Sequence, residues 1–172
     1  MEIKYILHED DYLHFNLYHI KNSKTSMKVL KLQRYVTPLL YLIAAYIFAH
    51  LTDDSYILSF SIFLTLSVLW IIYYPKYYYN HVRRNVRKFL KEGNNDGLLG
   101  EHIMVFTEDG IVDRTQTGET KVVWEGIHTF KEDEHYFYLY NSAVSAYILP
   151  KKDVENANEI RNLLESKTQP SS

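Results

Sequence analysis

The chain has 172 residues, 47% of them apolar and 23% charged, with 16 tyrosines and no cysteine. That length suits one domain, or one small domain plus a membrane segment, and the apolar fraction is too high for a disordered chain. The missing cysteine excludes disulfides, thiol catalysis, zinc–thiolate sites and cysteine-held iron–sulfur clusters. The formal net charge of -2 divides unevenly: residues 1–91 carry 12 Lys/Arg against 6 Asp/Glu, and residues 92–172 carry 7 against 15. Two environments are expected for the two halves, and the acidic half disfavours nucleic acid as a partner because it repels phosphate.

Residues 1–7, MEIKYIL, alternate Ile3, Tyr5 and Leu7 on one side, the pattern of a short strand. The acids at 9–11 open a helix expected from Asp11 to about Ser26, with Leu13, Leu17 and Ile20 on one face. His14 and His19 lie five apart, off the i,i+4 spacing of a helical metal site, and read as structural or surface residues. Residues 1–34 thus form an N-terminal strand and a juxtamembrane helix.

Two charge-free apolar runs follow, 35–51 (YVTPLLYLIAAYIFAHL) and 56–74 (YILSFSIFLTLSVLWIIYY). As helices they reach about 26 and 28 Å, close to a hydrocarbon core of about 30 Å. Only Thr52, Asp53, Asp54 and Ser55 separate them, so 35–74 reads as an antiparallel transmembrane hairpin. Lys21, Lys24, Lys28, Lys31 and Arg34 precede it; Lys76, Arg83, Arg84, Arg87, Lys88 and Lys91 follow it; the turn holds acids only. The positive-inside rule then predicts a two-span protein of the cell membrane with both termini cytoplasmic. Pro38 reads as a residue near the helix start, where a missing N–H costs little. Ser59, Ser61, Thr65 and Ser67 read as a small-residue stripe for helix packing, and no ionisable Asp, Glu, Lys or Arg inside either span suggests an ion pathway.

Residues 75–99 read as a basic juxtamembrane helix over 80–91 and a linker, with the breaker cluster Gly93-Asn94-Asn95-Asp96-Gly97 ending the helix. Arg83, Arg84, Arg87 and Lys88 are candidates for contact with anionic lipid headgroups, at about 1 kcal/mol per basic residue. From Gly100 the period changes to strands. Glu108-Asp109-Gly110 is a hairpin turn in which Gly is expected to supply a positive φ, and Thr117-Gly118 is the next turn before a strand over 121–124. Segments 126–131, 136–140 and 144–149 follow, with the acidic turn Glu132-Asp133-Glu134 between the first two, reading as solvated rather than as a cation site. Pro150 closes the last strand, and Asp153 is the expected cap of a terminal helix to about Ser166 carrying Ala157, Ile160 and Leu164. Residues 100–166 therefore form an antiparallel β domain closed by a C-terminal helix, and 167–172 a tail. The N-terminal strand is free to add a seventh strand; whether it does is open at this point.

About seven strands and one closing helix is the order of a pleckstrin-homology-like (PH-like) domain. The fold class is accordingly an α+β membrane protein, a two-span hairpin with a PH-like β domain. Over nearly its whole length the chain resembles the YcxB-like family of bacterial membrane proteins. The resemblance rests on the strand–helix ending in basic residues, the central hairpin, and the segments EHIMVFTEDGIVDRT, VVWEGIHTFKEDEHYFYLY and AYILPKKDV. It implies a PH-like domain at a membrane and carries over no activity and no catalytic residues.

No G-x-S-x-G, H-E-x-x-H or phosphate-binding glycine loop is present, so no enzyme, metal or cofactor is expected. The expectation is a membrane-anchored regulatory or scaffolding module whose partners are the bilayer and an unidentified protein or a second copy. Trp124, Tyr136, Tyr138 and Tyr140 are the candidate contact surface, with a core role the competing reading for Trp124 and an open or covered face equally allowed for the tyrosines. The alternative is a small accessory subunit of a transport or export complex; a membrane enzyme is the weakest reading.

Overall fold

A computed structural model describes residues 1–53, 55–92 and 97–168. Asp54 of the hairpin turn, the core of the glycine–asparagine linker (93–96) and the end of the tail (169–172) lie outside the described residues. The chain is α+β, with elements in the order β1 (Glu2–Leu7), α1 (Glu9–Asn22), α2 (Lys24–Thr52), α3 (Tyr56–Glu92), β2 (Gly100–Phe106), β3 (Gly110–Thr115), β4 (Gly118–Val123), β5 (Thr129–Glu132), β6 (Tyr136–Tyr140), β7 (Ala146–Pro150) and α4 (Ala157–Lys167). It divides into two compact units, Met1–Asn16 with Arg87–Ser172, and Leu17–Val86.

The first unit holds two antiparallel sheets, ordered β1-β2-β3-β4 and β5-β6-β7. β1 pairs with β2 from Glu2↔Val105 to Leu7↔Gly100, so the N-terminal strand is the edge of a sheet whose other strands lie more than 90 residues away in the chain. Its alternation is realised, with Ile3, Tyr5 and Leu7 buried and the residues between them exposed. On β2 the inward set is His102, Met104 and Phe106. β6 is buried on both faces from Phe137 to Tyr140, and α4 contributes Ile160 and Leu164, both fully buried. Trp124 is not in a strand: β4 stops at Val123 and Trp124–Gly126 form a 3-10 turn.

Two glycines hold special places in this unit. Gly110 does not supply a positive φ as expected; among the described glycines that is Gly100, at φ 98° opposite Leu7. Gly110 is required for space, because a Cβ there would lie 2.0 Å from the Val122 carbonyl oxygen on the neighbouring strand. The cap of α4 also differs from expectation. Asp153 ends a short 3-10 turn, Lys151–Asp153, and Asn156 caps α4 by accepting the Glu159 amide.

The second unit is a helical hairpin. The helix expected to Ser26 breaks earlier, because the Ser23 side chain accepts the Ser26 amide at 3.2 Å and starts α2. Cross-helix contacts run from Gln33 with Trp70 and Arg34 with Ile71, through Pro38 with Ser67, to Phe48 with Phe63, so later residues of α2 meet earlier residues of α3. That is an antiparallel pair. Ala45, Ala49, Ser59 and Ser67 are buried, so small residues let the helices approach. Ser61 and Thr65 are exposed and bond back to the carbonyls four residues earlier, so only half of the expected stripe packs.

Because α2 begins at Lys24, Pro38 sits in its interior rather than near its start. α3 is likewise one helix through Pro75, with no break where the juxtamembrane segment was expected to begin. Proline at 75 has no N–H for the Ile71 carbonyl four residues back. The Arg34 guanidinium of α2 donates to that carbonyl at 2.9 Å instead.

Both helices are long and apolar enough to cross a membrane. Only 17% and 11% of their most apolar windows are buried, whereas the core helix of a soluble domain would be mostly covered. Leu51 and Ile57 are 76% and 81% exposed, and Leu39, Leu40, Ile43, Ile47, Ile62 and Leu64 are also open.

Candidate functional site

The four residues expected to form a contact surface divide three to one. Trp124, Tyr138 and Tyr140 are buried, and only Tyr136 is half-exposed. The cause is α1. Phe15 lies 5.5 Å from the Tyr138 ring and 5.9 Å from the Tyr140 ring, and closes the tyrosine face from one side. Tyr136 donates its hydroxyl to Asp11 at 2.5 Å, and Asp11 also accepts the His8 amide as the helix-start carboxylate. Burial first, then that bond, pushes the Tyr136 hydroxyl well above the usual phenol range. Trp124 donates to the Thr107 carbonyl at 3.2 Å and stacks on Phe106. The corrected role of Trp124, Tyr138 and Tyr140 is core packing, since a large aromatic pays best where it is covered.

The acidic turn after β5 is not simply solvated. Asp133 accepts from the Tyr138 hydroxyl at 2.7 Å, the His14 ring at 2.8 Å and the amides of His135 and Tyr136. Burial raises its carboxyl, but these bonds outweigh it and hold it below the usual aspartate value. Glu132 pairs with Arg161 of α4 at 2.6 Å and with Lys151 at 2.5 Å. The Arg161 bond is the largest influence; with Lys151 it overcomes burial and holds the Glu132 carboxyl at about 2. Both side chains are engaged within the fold. Among the described residues, no three His, Asp or Glu are placed to hold a metal ion.

A depressed carboxylate has a defined linkage sign. The stability contributed by Glu132 is fully present above its ordinary value near 4.5 and is lost as pH falls from there toward 2. Thermal unfolding of the full chain between pH 6 and pH 3 is expected to show a falling midpoint below pH 4.5, with a shallower fall for Glu132→Gln.

The basic residues proposed for lipid contact all lie on α3 and are exposed. Arg83 donates to Asn80 at 3.0 Å, and Lys88 pairs with Glu92 at 3.4 Å along the helix. Such exposed pairs are weak and leave the charges available.

A site without a sequence signal lies along β1. On the inner face of β1–β2, the His102 Nδ1 meets the Asp113 carboxylate at 3.1 and 3.2 Å, and the Tyr5 ring stacks on His102 at 5.3 Å. His102 is 4% exposed, yet its Nε2 has no partner. Burial, then Asp113 and Tyr147, raises the Tyr5 hydroxyl well above its ordinary value. Beside it opens a cavity of about 540 Å³ lined by Lys4, Tyr5, His8, His102, Lys152 and Asp153. A second cavity of about 320 Å³ is lined by Glu2, Lys4, Asp153, Glu155, Asn156 and Glu159. Lys4 and Asp153 border both, so the two are ends of one groove between β1 and the segment that leads into α4. The Asp153 Oδ2 is buried there without a partner. A lone histidine in a strand pattern carries no signal of this; only the pairing of His102 with Asp113 across the β2–β3 hairpin does.

Residues 106–164 match the family model described as YcxB-like protein, a span that overlaps the three C-terminal segments on which the resemblance in the sequence rests. No curated protein and no solved structure matches the chain.

Proposed function

We propose that the chain is an integral membrane protein in which a transmembrane hairpin is inserted into a split, PH-like α+β module, and that this module acts on the cytoplasmic side by binding another protein rather than by catalysis. The observation that supports the topology is the β1–β2 pairing. β1 precedes both apolar helices and β2 follows them, yet the two strands form one ladder. A ladder cannot close across a bilayer, so the helices between its strands must cross an even number of times. The basic flanks then favour the cytoplasm for the sheet side. The seven strands in two sheets closed by α4 support the PH-like reading. A binding role is favoured because Glu132 and Asp133 of the acidic turn are engaged in internal bonds rather than gathered in a reaction pocket.

The chain lacks cysteine, so single-cysteine variants report topology directly. In intact cells an impermeant maleimide is expected to label Ser55→Cys at the hairpin turn and to spare Val144→Cys in the β6–β7 loop until the cells are opened. Labelling of Val144→Cys in intact cells refutes the cytoplasmic assignment. Cross-linking of the full-length protein in membranes is expected to capture a heterotypic partner, and capture of itself alone counts against the binding role.

A further inference from the structure

β1 is an edge strand, and its hydrogen-bonding parity can be read from its end. Met1 and Phe106 exchange both backbone bonds, at 3.1 and 2.8 Å. In an antiparallel ladder such pairs alternate with open ones. Hence Ile3, Tyr5 and Leu7 direct their N–H and C=O groups at β2, and Glu2, Lys4 and Ile6 direct theirs away from the sheet. β1 is first in the order β1-β2-β3-β4, so no strand among the described residues takes those groups. They face the groove that Lys152–Ile160 borders from the other side.

The groove also has a chemical preference. His102 Nδ1 meets the Asp113 carboxylate, and His102 Nε2 is buried without a partner. Asp153, which lines the groove, also has its Oδ2 buried without a partner. Along the walls stand five carboxylates, Glu2, Glu101, Asp153, Glu155 and Glu159, against Lys4, Lys152 and the Met1 ammonium. An acid excess along the walls suits a chain segment that brings cationic side chains, and the outward N–H and C=O groups of β1 offer it backbone partners. An exposed strand edge offers such a segment its backbone pairing, with alternate side chains supplying specificity.

We infer that β1 and the segment leading into α4 form a docking groove for an extended, basic peptide of a partner protein, which adds to the sheet as a strand beside β1. This rests on the binding-module reading above and assigns that reading its surface.

The test uses the full-length protein in detergent micelles and a labelled heptapeptide of alternating arginine and valine. Its controls are a glutamate–valine counterpart and an arginine–valine version N-methylated at alternate amides. The arginine–valine peptide is expected to bind and to slow hydrogen exchange at the Lys4 and Ile6 amides. The N-methylated control is expected to bind at least about tenfold more weakly, the cost of one or two lost hydrogen bonds, and the glutamate–valine control at least about tenfold more weakly because its carboxylates meet the acidic walls. Lys4→Pro deletes an outward N–H at an edge position that tolerates proline, and is expected to weaken binding about tenfold while Trp124 fluorescence stays native. Asp153→Asn, which leaves the strand intact, is expected to weaken binding of the arginine–valine peptide selectively.

Absence of binding, equal binding of the glutamate peptide, or binding without slowed exchange at Lys4 and Ile6 overturns the proposal. So does protection of those amides without peptide in a dimeric species, because the edge would then belong to a second copy. If cross-linking in membranes captures the same partner with Lys4→Pro as with the native chain, the groove assignment falls and the binding-module reading stands. If no partner is captured from the native chain, that reading itself falls.

Discussion

Phe15→Ala is expected to destabilise the full chain by about 3–5 kcal/mol, measured as denaturant unfolding in micelles, while Phe15→Leu costs much less. Phe15 is 3% exposed and lies against Tyr138 and Tyr140, which are 0% and 5% exposed. Removing the ring leaves a cavity over two tyrosines and opens a water path to the Tyr138 hydroxyl, which Asp133 accepts. The truncation therefore loses both transfer free energy and the shelter of a buried polar contact. Asp11 and His14, on neighbouring turns of α1, bond Tyr136 and Asp133, so the ring is held between polar anchors and the surroundings have little room to collapse. A cost near that of an exposed aromatic, under about 1 kcal/mol, would mean that α1 does not cover the sheet.

That cover explains where reading the sequence succeeds and where it stops. The strand alternation of Ile3, Tyr5 and Leu7 is local, and the structure keeps it. β6 is instead buried on both faces from Phe137 to Tyr140, and its tyrosine face is closed by α1, more than 100 residues away in the chain. The same limit applies to the groove. His102 and Asp153 are ordinary in their own segments, and come to line one groove only when β1 pairs with β2. Gly110 was legible as a necessary glycine but for the wrong reason: a turn signal suggests positive φ, whereas the requirement is the approach of the Val122 carbonyl on β4. Asp153 has the chemistry of a helix cap, and Asn156 takes that role because a 3-10 turn intervenes after Pro150. The apolar hairpin was read best, since an uninterrupted run of the right length needs no partner to be recognised. Pro38 is harder to place, because the polar flank moves the start of α2 back to Lys24 and leaves that proline inside the helix.

Arg34 and Pro75 form a coupled pair in that hairpin, and a double-mutant cycle is expected to expose them. Pro75 cannot donate to the Ile71 carbonyl, and Arg34 Nε occupies it at 2.9 Å from the other helix. Arg34→Met keeps much of the aliphatic stem and deletes the donor. It is expected to cost about 1.5–3 kcal/mol, the range for a bond to a charged group. Pro75→Ala alone restores an in-helix amide to Ile71 and removes the need for the guanidinium there. In the Pro75→Ala background, Arg34→Met is then expected to cost about 1 kcal/mol or less, an interaction energy of at least about 1 kcal/mol. Unfolding in micelles followed by Trp70, whose indole donates to the Gln33 carbonyl beside Arg34, reads the hairpin locally. Simple additivity of the two substitutions would show that Arg34 acts there only as one more basic residue at the membrane boundary. Non-additivity would show that a residue resembling a topology signal also repairs the helix opposite it, and that the proline inside α3 is tolerated because α2 supplies the missing donor.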